Sequence, residues 1–236
     1  MQPDLSRLNA RYEGDAASVL RFTLSGALGR IAMVSSFGAD SAVLLHMVAQ
    51  IDRATPVLFI DTLLLFPETL TYQRDLAEHL GLSDLRVITP DRAELLAEDA
   101  DAILHLAQPD ACCDLRKTRV LARALAGFDG WITGRKRFQG GARATIEHFE
   151  WDGALRHLKV NPLAGWTSAD LAAYMDRHAL PRHPLVARGY PSIGCGPCTG
   201  PVAPGENPRA GRWRGRQKDE CGIHLVDGRV VRRQAS

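Results

Sequence analysis

Four short apolar runs, interleaved with stretches of helical spacing, constrain this chain most. The runs are IAMVSS (31–36), VLFID (57–61), LRVITP (85–90) and GWITG (130–134). Behind the first three come AVLLHMVAQI (42–51), PETLTYQRDLAEHLG (67–81) and RAELLAED (92–99), and DLRKTRVLARALAG (114–127) leads into the fourth. Strands with no polar alternation are buried on both faces. Strand–helix alternation therefore predicts α/β: an open, mostly parallel sheet with helices on both faces. Pro67 near the start of its helix and Gly81 after its end match the usual asymmetry of helix termini. A further helix is expected in AASVLRFTLSGAL (16–28) from its apolar spacing. ATIEHFEW (144–151) and LRHLKVNPL (155–163) read as a strand pair joined at Asp152-Gly153. Thr167-Ser168-Ala169-Asp170 opens a helix with a capping box. From 181 onward Pro and Gly dominate, and the chain reads as an irregular arm.

Composition narrows the class further. The 236 residues are 45% hydrophobic and 24% charged, which suits a globular protein with one sizeable core. No run of about 18 apolar residues exists, so no membrane span is expected. The opening MQPDLSRLNARYEGDAAS carries no apolar signal segment, which points to the cytoplasm. The net charge of +2 conceals a strongly basic end, RAGRWRGRQKDECGIHLVDGRVVRRQ (209–234). Such a stretch suits an anionic small ligand, an acidic surface or nucleic acid.

Five cysteines carry the chemistry. Cys112 and Cys113 are adjacent, Cys195 and Cys198 form a CxxC, and Cys221 stands alone in ECGIH. Four cysteines in two pairs suit one metal centre, since thiolates ligate both iron–sulfur clusters and structural zinc. An adjacent pair is awkward for tetrahedral zinc, and structural disulfides belong to an oxidising compartment for which no signal is present. The fifth thiol sits among charged residues, the setting of a nucleophile. Lys218, with Arg212, Arg214 and Arg216, would lower its pKa, and Glu220 would oppose them.

Ser35, Ser36, Phe37, Gly38, Ala39, Asp40 and Ser41 lie between a strand and a helix. Small residues there let the backbone approach an anion, and the helix N-terminus behind them offers free N–H groups. In an open parallel sheet this edge is where nucleotides bind. It is not a Walker loop, because no GK[ST] follows. Asp61 ends the second strand at the same edge, where a carboxylate can contact a ribose or a base, or cap the local turn.

SSFGADS, DTLLLFPET, CC-x-x-RK, GRKRFQ, GCGPCT and ECGIH, in this order, resemble the assimilatory adenylylsulfate/phosphoadenylylsulfate reductases over about residues 30 to 225. The two cysteine pairs resemble those of the cluster-bearing branch, which mostly reduces adenylyl sulfate. The resemblance implies an adenine nucleotide α-hydrolase-like fold and a [4Fe–4S] cluster on Cys112, Cys113, Cys195 and Cys198. It implies Cys221 as catalytic nucleophile, and reduction of adenylyl sulfate by thioredoxin or glutaredoxin to sulfite and AMP through an S-sulfocysteine. It also implies substrate contacts from Lys117, near both cluster and substrate, from Arg137, Gln139 and Arg143 in the loop beside the phosphosulfate, and from Arg209 and Arg212 closing over it. A homo-oligomer, dimer or tetramer, is expected from the same source. The expected organisation is a nucleotide-binding domain over 1–205, cluster site included, and a mobile arm over 206–236 bearing Cys221. One departure is Leu63, where the family often has glycine after Asp-Thr.

Three alternatives stand beside this reading. One is reduction of the 3′-phosphorylated nucleotide, or of both. Another is a tRNA-thiolating ATP pyrophosphatase of the same fold, which would want an SGGxDS loop where this chain has Ser36-Phe37-Gly38. The last is a nucleic-acid-binding iron–sulfur sensor, for which no recognition helix or aromatic platform is evident, so no nucleic-acid partner is expected.

Overall fold

The computed structural model describes residues 3–215, 218 and 220. Two helices, α1 (Leu5–Arg11) and α2 (Ala16–Leu24), precede the first strand. Then β1 (Ile31–Ser35), α3 (Ser41–Ile51), β2 (Val57–Ile60), α4 (Pro67–Leu80), β3 (Leu85–Ile88) and α5 (Arg92–Glu98) alternate as expected. Short helices α6 (Leu104–Ala107) and α7 (Pro109–Cys113) lead through a π-helical turn, Asp114–Thr118, into α8 (Arg119–Ala124). β4 (Gly130–Ile132), β5 (Phe149–Asp152), β6 (His157–Val160) and α9 (Ser168–Arg177) follow.

The six strands form one sheet in the order β3-β2-β1-β4-β6-β5. All neighbours are parallel except β5, which runs antiparallel to β6 at the edge. Burial follows the two-residue period of the strands. Ile31, Met33, Val57, Phe59 and Ile132 enter the larger core, against α2, α3, α4 and α9. Ala32, Leu58 and Trp131 enter the smaller one with Leu121 and Leu125 of the α8 segment. Both faces are thus covered, which explains why these strands carry no polar alternation.

Strand order reverses between β1 and β4, so the loops leaving their carboxyl ends diverge and leave a crevice. Two local details differ from expectation. The helix read from Asp114 begins five residues earlier at Pro109, a residue pre-set for a first helical turn. The β5–β6 connection spans 153–156 rather than a tight two-residue turn: Asp152 pairs with His157, and the positive φ falls on Arg156 (55°), not on Gly153.

The capping box is present: Thr167 Oγ1 accepts from the Asp170 N–H at 3.2 Å, and the Asp170 carboxylate from the Thr167 N–H at 2.8 Å. Beyond α9, residues 181–215 hold only short 3-10 turns and isolated bridges. This arm is docked onto α4. Buried His183 meets Thr69 Oγ1 of α4 at 3.0 Å, and Tyr72 donates its hydroxyl to the Pro181 carbonyl at 2.8 Å.

Candidate active site

At the β1/β4 crevice lies a cleft of about 220 Å³, walled by the β1–α3 loop, the segment after β4 and the C-terminal arm. Ser35, Ser36, Gly38, Asp40 and Ser41 line it. Asp40 stands at the N-terminus of α3 without capping it; its carboxylate instead accepts from Lys136 Nζ at 3.1 Å. That pair bridges the two loops across the switch point. Burial holds the Lys136 ammonium below the usual lysine range, and Asp40 pulls it back up. Phe37 lies off the wall. Its φ of 46° turns the ring into the core, edge-on to Phe59 with centroids 5.3 Å apart. This pins the anion loop from beneath.

Five cations beside Lys136 line the cleft: Lys117, Arg135, Arg143, Arg209 and Arg212. Arg143 donates Nη1 to Gln139 Oε1 at 2.5 Å, so those two expected contacts act as one unit. Its other edge, Nε and Nη2, grips both oxygens of Glu220 at 2.5 and 2.7 Å. Arg135 is buried, donating to Asn161 Oδ1 at 3.0 Å and to Glu150. Arg209 and Arg212 reach the cleft from the arm. Their guanidinium carbons lie 5.9 and 4.5 Å from the centroid of the Trp213 ring, and Trp213 also lines the wall. A Cβ on Gly194 would strike the Arg212 guanidinium, so glycine is what lets that side chain pass. Arg137 is turned outward, donating to the Ile146 carbonyl at 2.7 Å and to Glu147 at 3.2 Å, and Asp61 is occupied by the Leu63 N–H at 2.8 Å. Neither is on the wall.

Beside the cleft the two cysteine pairs approach each other. Cys112, Cys113 and Cys195 are buried, and none of the four is in a disulfide. The π-helical turn, closed by the Arg119 N–H reaching back to the Asp114 carbonyl, resets the helix face directly after the pair. Arg116 therefore points inward, donating to Asp99 Oδ2 at 2.6 Å and to the Thr62 carbonyl at 2.9 Å, while Lys117 faces the cleft. The Thr62 hydroxyl is 3.2 Å from Cys195 Sγ. Leu65 bridges to Cys195, and the Gly196 N–H donates to the Leu64 carbonyl at 2.8 Å. Burial pushes the Cys112 thiol up to about 11; Arg116 pulls it down, and the nearby Cys195 and Cys198 sulfurs add to the rise. Lys218 Nζ pairs with Asp110 at 2.6 Å and hydrogen-bonds Cys113, which raises it above the usual lysine range against the pull of burial. The Trp213 N–H donates to the Cys198 carbonyl at 3.0 Å, tying the CxxC turn to the arm's arginines. Among the described residues no three His, Cys, Asp or Glu side chains stand close enough to share a single ion. Cys112 lies within electrostatic reach of Cys195 and Cys198, and four cysteines in no disulfide are the donor set that an iron–sulfur cluster takes.

Arg135, Lys136 and Trp213 were not singled out by sequence, and Glu220 was read only as a charge opposing the cations around Cys221. Lys136 and Asp40 are 96 positions apart, and nothing local pairs them. Arg135 and Lys136 belong to the quoted GRKRFQ motif; only the strand's exit direction decides that they, and not Arg137, face inward. Cys221 and His224 lie outside the described residues.

Fold and cleft together define an α/β protein of the adenine nucleotide α-hydrolase-like class. A family model described as the phosphoadenosine phosphosulfate reductase domain matches residues 30–201, and the chain belongs to that family. It is 56% identical over 195 residues to a Mesorhizobium japonicum protein named adenosine 5'-phosphosulfate reductase, covering 83% of this chain and 76% of that one. A Chelativorans protein of the same name is 51% identical over 224 residues, covering 92% and 89%. Among solved structures, phosphoadenylyl-sulfate reductase from Candida auris, in a phosphate complex, superposes with a TM-score of 0.71 at 27% identity, covering 83% and 96%.

Proposed function

We propose that this enzyme reduces adenylyl sulfate to sulfite and AMP in sulfate assimilation, with thioredoxin or glutaredoxin as thiol donor. The observation that carries this reading is the juxtaposition of two cysteine pairs with a polycationic cleft at the β1/β4 switch point. The relatives' shared name supports the unphosphorylated nucleotide; the Candida auris structure's title keeps the 3′-phosphorylated form as the second reading.

In the proposed reaction the Cys221 thiolate attacks the sulfate sulfur. An S–S bond forms, the S–O bond to phosphate breaks, and AMP leaves with the electron pair on its phosphate oxygen. The leaving charge is met by the helix α3 N-terminus and by Lys136. A thioredoxin thiolate next attacks the Cys221 sulfur and expels sulfite with the electron pair; the second thioredoxin thiol then releases Cys221 and leaves oxidised thioredoxin. Both electrons come from that dithiol. Cys112, Cys113, Cys195 and Cys198 would hold a [4Fe–4S] cluster, which supplies structural support and an electrostatic field near the sulfate. Lys117, on the cleft wall and four residues after Cys113, would orient the sulfate oxygens. Thr62, Lys218 and Arg116 keep the cysteine segments in register. The arm over 206–236 would deliver Cys221 to the domain over 1–205. A cytoplasmic dimer or tetramer completes the reading; among the described residues no helix is long and apolar enough to cross a membrane.

Sulfite release from adenylyl sulfate with reduced thioredoxin tests the reading. Cys221→Ser is expected to abolish turnover while nucleotide still binds. Turnover that survives Cys221→Ser would contradict the mechanism.

A further inference from the structure

We propose that Glu220 is an internal substitute for the substrate's anionic group: before nucleotide binds, its carboxylate fills the Arg143–Arg209 fork, and it leaves when the substrate's sulfate arrives. The inference rests on the reading of the cleft as the adenylyl sulfate site.

Arginine recognises a tetrahedral oxyanion or a carboxylate through the same parallel pair of N–H groups. On Arg143 that pair, Nε and Nη2, is taken by the two Glu220 oxygens at 2.5 and 2.7 Å. The remaining face is engaged as well, since Nη1 donates to Gln139 at 2.5 Å. Arg209 adds a second guanidinium 3.4 Å from the same carboxylate. A phosphosulfate cannot use the bidentate edge of Arg143 until Glu220 gives it up. The pair is buried, with side chains 10% and 5% exposed. Separating such a pair is costly unless another anion takes the vacated edge. The substrate brings that anion, so exchange is the low-cost route into the cleft. Glu220 directly precedes Cys221 in sequence. The exchange therefore couples occupation of the cleft to release of the backbone next to the nucleophile, and by linkage the coupling is reciprocal. Glu220 is a positioning residue in this scheme, distinct from the nucleophile itself.

The test is equilibrium binding of ADP, whose β-phosphate occupies the place of the sulfate without reacting, to the full-length wild type, Glu220→Gln and Glu220→Asp. If the pair holds the fork about nine-tenths of the time, removing it tightens ADP binding about tenfold. The shorter Asp carboxylate gives an intermediate gain. AMP, lacking the second anionic group, gains less. ADP affinity equal to or weaker than wild type in Glu220→Gln would overturn the proposal and mark the pair as structural only. Failure of the wild type to bind ADP at all would overturn the nucleotide reading of the cleft, and this proposal with it. A measurement on the wild type alone stands independent of how the variants fold: deuterium uptake across residues 212–222 should rise with saturating ADP. Unchanged or reduced uptake would contradict release of Glu220.

Discussion

Leu63 is an exposed residue held at φ 61°, a left-handed conformation that a Cβ disfavours. It follows Asp61 and Thr62, and both make turns around it: Asp61 Oδ1 accepts from Leu63 N at 2.8 Å, and Thr62 Oγ1 from Leu64 N at 3.3 Å. The departure from glycine visible in the sequence thus stores backbone strain beside Cys195. Leu63→Gly is expected to raise stability by up to about 1 kcal/mol, the relief of strain less the extra entropy of unfolded glycine, read as a higher urea midpoint. A fall in the midpoint would mean that Leu63 contributes packing its exposure conceals. Gly194 makes the opposite argument. A Cβ there would clash with Arg212 Nη2, so a methyl displaces a flexible side chain rather than backbone. Gly194→Ala should leave the urea midpoint nearly unchanged while raising KM for adenylyl sulfate, about tenfold if one charge-assisted hydrogen bond is lost. An unaltered KM would remove Arg212 from the substrate contacts.

At the scale of elements, two buried contacts hold the site's segments together. Arg116 and Asp99 join the cysteine-bearing helix to the loop before α6, with side chains 5% and 1% exposed. Replacing Arg116 by Met strands the Asp99 carboxylate and should cost about 3–5 kcal/mol. Burial alone would raise the Asp99 carboxyl; the Arg116 hydrogen bonds and the Leu104 N–H outweigh it and hold it below the usual range. Its stabilising contribution is therefore present above the unfolded carboxyl's pKa and lost as pH falls through the lower folded value. His183 acts over a milder window. Burial lowers its pKa from 6.5 to about 4, with Glu68 pulling slightly upward. The folded state disfavours the imidazolium, so stability is full above pH 6.5 and declines as pH falls toward 4, by about 3 kcal/mol in all. Between those limits His183→Gln should flatten the pH dependence of the unfolding free energy. An unchanged slope would place the titration elsewhere.

For the whole molecule, the alternation of apolar runs and helices was sufficient to read the parallel sheet, because the central strands β1, β2 and β4 are buried on both faces and need no alternation. Both cysteine pairs, the β1–α3 loop and the arm's arginines were legible as motifs. What was not legible depends on contacts between distant segments. The Asp40–Lys136 pair, the Glu220 carboxylate on Arg143 and the inward turn of Arg116 after a π-helical turn leave no local pattern. The inward burial of Phe37 was missed for a related reason: a motif says which residues belong to a loop, not which of them face the core. The central claim joins the cleft, the cysteines and the arm into one two-step thiol reaction. Intact mass of the anaerobically purified protein after mixing with adenylyl sulfate and no reductant, followed by peptide mapping, tests it most directly. The account predicts one sulfonate adduct on Cys221 that disappears when reduced thioredoxin is added. Protein that binds the nucleotide but gains no adduct, with adenylyl sulfate or its 3′-phosphorylated form, would contradict it.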